Sequence, residues 1–132
     1  MNVDNQLVAY VIVRSELGMS AGKVCAQVGH SIQYLMEHFF KVLLVEQKLH
    51  DKTCEHNHIE ETSYWLKNGS TKIVLKASDK QWDELKEAFG KECFIVRDAG
   101  LTEIKAGEET VMVLWPGQKS KAHKFVKALP LL

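Results

Sequence analysis

The sequence predicts a small α/β domain with helices on both faces of its sheet, and three observations carry that prediction. First, Leu7 to Val13 is an unbroken apolar run rich in β-branched residues, the pattern of a strand buried on both sides. Second, a helical period runs through Val24, Val28, Ile32 and Leu35 and continues through Phe39, Leu43 and Val45. Third, the segments alternate in the order strand, helix, helix, strand, helix, strand, strand, helix.

The first strand ends at Arg14. Ser15 to Met19 forms a short loop, and Ser20 is placed to cap a helix that starts at Ala21 and extends to about Leu49. Asp51 to His58 is polar and breaks the period, so a loop is expected there. Ile59, Thr62, Trp65 and Leu66 share one side of the next helix, which Asn68-Gly69 stops. Thr71 to Lys76 alternates through Ile73 and Leu75 as a second strand. Ser78 with Gln81 three residues on fits a capping box, and the helix that follows packs Trp82, Leu85 and Phe89 before Gly90. Cys93 to Val96 is a third strand that runs into the turn Arg97-Asp98-Ala99-Gly100. Thr110 to Trp115 is a fourth, closed by Pro116-Gly117, and a last helix spans Ser120 to Leu129.

The chain has 132 residues, 45% hydrophobic and 26% charged, and residues 1–132 are expected to form one domain. Its three cysteines, Cys25, Cys54 and Cys93, are odd in number and irregularly spaced, which points to a reducing, cytoplasmic setting. The apolar run at the start falls far short of the roughly 20 residues that cross a bilayer, so no membrane association is expected. Seventeen basic residues balance seventeen acidic ones, which excludes a global field that gathers nucleic acid. A local patch is the remaining route. Lys119, Lys121, His123, Lys124 and Lys127 offer one in the tail, with a solvated helix face as the alternative.

Two segments stand out as candidate chemistry. A helix that opens directly from a strand presents free N–H groups and a positive dipole end, both suited to an anion. Ser20-Ala21-Gly22-Lys23 occupies that place, and Gln27 follows four residues after Lys23 on the same face. An ordinary cap beside an exposed Lys23 is the plain alternative, and the phosphate-loop pattern of nucleotide hydrolases is absent. The second segment, Asp98 to Glu103, leaves the carboxyl end of the third strand, where ligands gather in open α/β sheets. Asp98 could hold or deprotonate a water and Thr102 could orient it; a turn with Asp98 as cap and Gly100 at positive φ is the alternative. Cys54-Glu55-His56-Asn57-His58 matches no closed zinc site, so no metal is expected. His30 is read as a core histidine or a catalyst, Trp65 and Trp82 as core, and Cys25 as a small buried residue.

Together these stretches resemble the type 2 peptidyl-tRNA hydrolases. Val13-Arg14, Leu17, Met19, Ser20, Gly22-Lys23, Ala26-Gln27 and His30 are similar to that family's first motif. Trp65-Leu66, Gly69 and Lys72 to Lys76 resemble its second. Arg97 to Ile104, Gly107 and Thr110-Val111 resemble its third, and Pro116 with Leu131-Leu132 its end. The resemblance implies a three-layer α/β/α fold around a four-stranded mixed sheet, acting on peptidyl-tRNA without metal or cofactor. It implies catalytic residues Lys23, Gln27, Asp98 and Thr102, with Arg14, Ser20, Gly22, His30 and Gly100 as substrate-binding residues. The partner is then tRNA, and a homodimer is left open. Gly18 and Ala21 stand where family members usually carry lysines, which makes a non-catalytic RNA- or protein-binding relative the alternative. Trp115 replaces a small residue before the proline, where it would narrow the cleft or offer a stacking surface. Residues 40–61 are longer and more polar than the family's connection.

Overall fold

The structure is a computed structural model that describes residues 6–49 and 56–132. Its elements are β1 (Leu7–Arg14), α1 (Ala21–Leu49), α2 (His56–Lys67), β2 (Lys72–Ala77), α3 (Asp79–Phe89), β3 (Cys93–Arg97), β4 (Glu109–Leu114), β5 (Gly117–Gln118) and α4 (Lys124–Lys127). The main sheet runs β2-β1-β4-β3, with β5 pairing β1 alongside. β1 and β2 are parallel, from Ala9 opposite Lys72 to Arg14 opposite Ala77. β4 is antiparallel to both β1 and β3. The carboxyl ends of β1, β2 and β3 therefore share one edge.

Strand alternation divides the core in two. Val11 and Val13 point to one face and join Leu35, Phe39, Ile59 and Trp65 from α1 and α2. Ile12 and Met112 point to the other and join Trp82, Leu85 and Val126 from α3 and α4. Each aliphatic side chain so buried contributes about 1.5–3 kcal/mol of transfer free energy, and both layers are needed to cover β1. The result is the predicted α/β/α arrangement.

Four differences from the sequence expectations have local causes. A fifth strand continues past Pro116, where Gly117 and Gln118 pair with Val8 and Leu7; the Pro-Gly pair hides it by reading as a strand end. α2 begins at His56 rather than Ile59, inside the segment expected to be a loop. The rest of that loop, with Cys54, lies outside the described residues. The last helix is interrupted: a 3₁₀ turn covers Lys119–Lys121 and α4 only Lys124–Lys127. Ala122 and His123 are extended, and His123 Nδ1 caps the short helix by accepting from Phe125 N–H at 3.2 Å. The basic tail thus has no single helical face. Its start is tied to the amino end of β1 through Lys119 N–H to Gln6 O at 2.9 Å. Finally, Val45 and Leu66 are exposed, at 45% and 40%, although their spacing groups them with the core.

Candidate functional site

The site forms where the carboxyl ends of β1 and β3 meet the start of α1. After Arg14 the chain makes a 3₁₀ turn, Ser15–Leu17, closed by Gly18 at φ 62°. Ser20 then occupies the cap position: its carbonyl accepts from Val24 N–H at 2.9 Å and its hydroxyl from Lys23 N–H at 3.4 Å. Lys23, Gln27, His30 and Tyr34 follow at spacings of four, three and four, so one stripe of α1 faces the β3 exit.

On the other side, the register between β3 and β4 shifts at Val96/Arg97. The ladder passes from Val96 opposite Val111 to Arg97 opposite Glu109, which leaves Thr110 as the extra residue on β4 and bends that strand beside the site. The backbone then closes a loop at its base, with Asp98 N–H to Glu108 O at 2.9 Å and Gly107 N–H to Asp98 O at 2.8 Å. Gly100, at φ 78°, lies against Ala106, where an added Cβ would sit 2.8 Å from that residue's backbone nitrogen. Its own N–H donates to Asp98 Oδ2 at 2.8 Å.

Between these walls the polar groups are joined. Asp98 Oδ1 is ion-paired with the Lys23 ammonium and accepts from Gln27 Nε2 at 3.2 Å. Lys23 Nζ also donates to Thr102 Oγ1 at 2.8 Å. Gln27, almost fully buried, donates to Thr110 Oγ1 at 2.9 Å as well. Hydrogen bonding from Lys23 holds the Asp98 carboxyl below its ordinary range, assisted by the Gly100 N–H and by the charges of Lys23 and His30. A cleft of about 270 Å³ opens over this group, lined also by Arg97, Ala99 and Leu101. Among the described residues, no cluster of three or more His, Cys, Asp or Glu side chains is placed to hold a metal ion.

The structure therefore brings Lys23, Gln27, Asp98 and Thr102 into mutual contact and sets His30 on the same cleft. His30 is exposed rather than buried in the core, and Cys25 is likewise exposed, against the small-buried-residue reading. Gly22 is exposed in the first turn of α1 with open space beyond it. Arg14 lies elsewhere. Its guanidinium donates to Asp79 Oδ1 at 2.8 Å and Glu108 Oε2 at 2.7 Å, in a neighbouring polar recess that shares Arg97 with the cleft and includes Lys105 and Glu109. Trp115 neither narrows the cleft nor stands free to stack on a ligand: it is buried at the far end of β4, and its ring stacks on His58 at 5.1 Å. One residue at the site, Tyr34, is not named by the sequence analysis, and two are named there only within their segments and given no role: Thr110, and Glu103, whose carboxylate holds Ser20. Tyr34 was accessible as the next position on the Lys23 stripe; Thr110 stands in the third family motif, but nothing there marks it as the partner of Gln27.

A family model described as peptidyl-tRNA hydrolase PTH2 matches residues 7–132. The chain belongs to this family. Among its relatives, the peptidyl-tRNA hydrolase of Methanopyrus kandleri is 32% identical over 127 residues, covering 92% of this chain and 95% of that protein. The Methanocaldococcus jannaschii peptidyl-tRNA hydrolase is 31% identical over 128 residues, covering 92% and 96%. Peptidyl-tRNA hydrolase 2 of Saccharomyces cerevisiae is 33% identical over 125 residues, covering 92% of this chain and 56% of the yeast protein. For this PTH2 chain the matched span takes in both walls of the cleft.

Proposed function

We propose that this PTH2 chain hydrolyses the ester bond of peptidyl-tRNA, releasing tRNA and peptide, at the cleft between α1 and the loop after β3. One observation carries the reading. An ammonium, a carboxylate, a buried amide and a hydroxyl, drawn from positions 23, 98, 27 and 102, share a single hydrogen-bonded group open to solvent.

The valences of these groups assign the roles. Lys23 has three N–H donors, of which one goes to Asp98 and one to Thr102. The third is available for the oxyanion that develops when water attacks the ester carbonyl, the kind of donor that accelerates acyl transfer most. Asp98 accepts from Lys23, Gln27 and Gly100 and keeps acceptor capacity for one more hydrogen, that of a water. With its pKa lowered, Asp98 is a weak base at neutral pH, so it orients the water and balances the ammonium rather than removing a proton outright. Thr102 accepts from Lys23 and retains its own O–H to donate to the leaving ribose oxygen. The water's hydroxyl ends on the peptide as its carboxyl group, and a proton ends on the tRNA.

His30 and Tyr34 extend the cleft along α1 and contact the substrate beyond the ester. Ser20 acts through its bonds to Glu103, Gly22 belongs to the first turn of α1 that carries Lys23, Gly100 acts through Asp98, and Arg14 acts only through the ion pairs that brace the neighbouring recess. The chain carries out this reaction in the cytoplasm, where peptidyl-tRNA arises. No helix among the described residues is long and apolar enough to cross a membrane. The lysines absent at Gly18 and Ala21 leave the Lys23 contacts complete, and no observation favours the non-catalytic alternative.

Purified protein incubated with N-acetylaminoacyl-tRNA should release free tRNA. Asp98→Asn and Lys23→Met should each lower kcat by about 10²-fold or more. Wild-type rates in both variants would remove the assignment.

A further inference from the structure

The loop that carries Thr102 is anchored well at its two ends and weakly at its tip. Asp98 and Gly107 close its base, Gly100 packs on Ala106, and Ile104 is buried. Leu101, Thr102 and Glu103 are all exposed, and Leu101 is 87% so. Packing alone therefore does not fix where the Thr102 hydroxyl sits. Beside the single bond from Lys23 Nζ to Thr102 Oγ1, what reaches across from this tip is Glu103: Oε1 accepts from the Ser20 hydroxyl and Oε2 from the Ser20 N–H at 3.1 Å. Both carboxylate oxygens thus engage one residue, at the amino end of α1 where negative charge is favoured by the helix dipole.

We propose that Ser20 and Glu103 form a latch, and that Glu103 is a positioning residue for the hydrolysis described above. Glu103 adjoins Thr102 in sequence, and Ser20 precedes Lys23 by three residues on α1. Fastening Glu103 to Ser20 therefore fixes the separation between the Thr102 hydroxyl and the Lys23 ammonium, 2.8 Å in the structure. The latch also fills the place at the start of α1 that sequence reasoning assigned to a substrate anion. The chain's own carboxylate takes the Ser20 N–H and hydroxyl, so a tRNA phosphate does not use those two donors while the latch is formed.

This inference rests on the peptidyl-tRNA hydrolase reading for its catalytic part and on the structure alone for the latch. Four proteins test it: Glu103→Ala, Glu103→Gln, Ser20→Ala and the double alanine variant, each assayed with N-acetylaminoacyl-tRNA and by amide hydrogen exchange. Glu103→Ala should lower kcat by roughly tenfold or more while KM stays level or falls, because the ground-state contacts survive and a negative charge is gone. Glu103→Gln keeps one acceptor and should recover part of the loss. The double variant should be no worse than Glu103→Ala, as expected of two groups that act as a unit. Exchange should quicken in residues 99–106 and not in β1 or β4. Wild-type kcat in Glu103→Ala, a rise in KM alone, or losses that multiply in the double variant would each overturn the positioning role. If the unmodified protein cleaves nothing, the hydrolase reading fails by itself; unchanged exchange across 99–106 in Glu103→Ala then overturns the latch separately.

Discussion

At the level of single residues, the site depends on side chains whose partners lie far along the chain, and this sets what the sequence can reveal. Gly100 illustrates a position with no latitude. A Cβ there would sit 2.6 Å from the Cβ of Ala106 and 2.9 Å from its Cα, on a backbone at φ 78°. Gly100→Ala should therefore cost roughly 1–3 kcal/mol and pull the loop away from Asp98; calorimetry and the tRNA-release assay together check this, and a variant with native stability and rate would refute it. Lys23, Gln27, Asp98 and Thr102 were named as a set by the resemblance to the peptidyl-tRNA hydrolase motifs, whereas helix spacing and strand-end placement marked their two segments and left an ordinary cap and turn as alternatives. Arg14 was misplaced because its acidic partners, Asp79 and Glu108, are 65 and 94 residues away, and nothing local announces that its charge is already engaged. His30 was equally ambiguous. Its spacing belongs to the boundary between the apolar face of α1 and the stripe that faces the cleft, and only the fold decides which side it takes.

Secondary-structure elements were more readable than their ends. The capping box at Ser78 is present as expected, with the hydroxyl accepting from Gln81 N–H at 3.2 Å and the Gln81 amide accepting from Ser78 N–H at 3.0 Å. Strong local chemistry of this kind survives tertiary context. α4 was misjudged because its break depends on a histidine used as a cap, a role with little statistical signal. Within α2, Thr62 is fully buried and its hydroxyl has no hydrogen-bond partner. A buried hydroxyl left unpaired loses its water without compensation, so the near-isosteric Thr62→Val should stabilise the protein by about 1 kcal/mol. For a chain of this size that is a rise in Tm of about 3 to 5 °C. A lower melting temperature would mean that the hydroxyl is satisfied after all.

For the molecule as a whole, acid sensitivity follows from four carboxylates at one end of the sheet: Glu109, where the opposing effect of burial is outweighed by hydrogen bonds from Lys86 and Trp82, and three others. Arg14 hydrogen bonding lowers the pKa of Asp79, Lys23 hydrogen bonding lowers that of Asp98, and Ser20 hydrogen bonding lowers that of Glu103. The sign is fixed by linkage: each group is more acidic folded than unfolded, so the unfolded chain binds more protons as pH drops. Their stabilisation is complete above the ordinary values of 3.8 for the aspartates and 4.5 for the glutamates, and is lost as pH falls through the lower folded ones. Thermal melts between pH 7 and strong acid should show Tm level near neutrality and falling on the acid side. Arg14→Met, which removes the cause at Asp79, should make that fall shallower; an unchanged slope would exclude the ion pair as its source. The stripe of α1 that carries Lys23, Gln27, His30 and Tyr34 has a different consequence. A helix turns by about 100° per residue, so gaining or losing one residue between positions 23 and 27 swings the ammonium off the meridian it shares with the amide. Point changes along this rod can be graded and reversible, whereas a shift of frame by one amino acid dismantles the pairing outright, which makes the spacing of the helix a stricter inheritance than the identity of most of its residues.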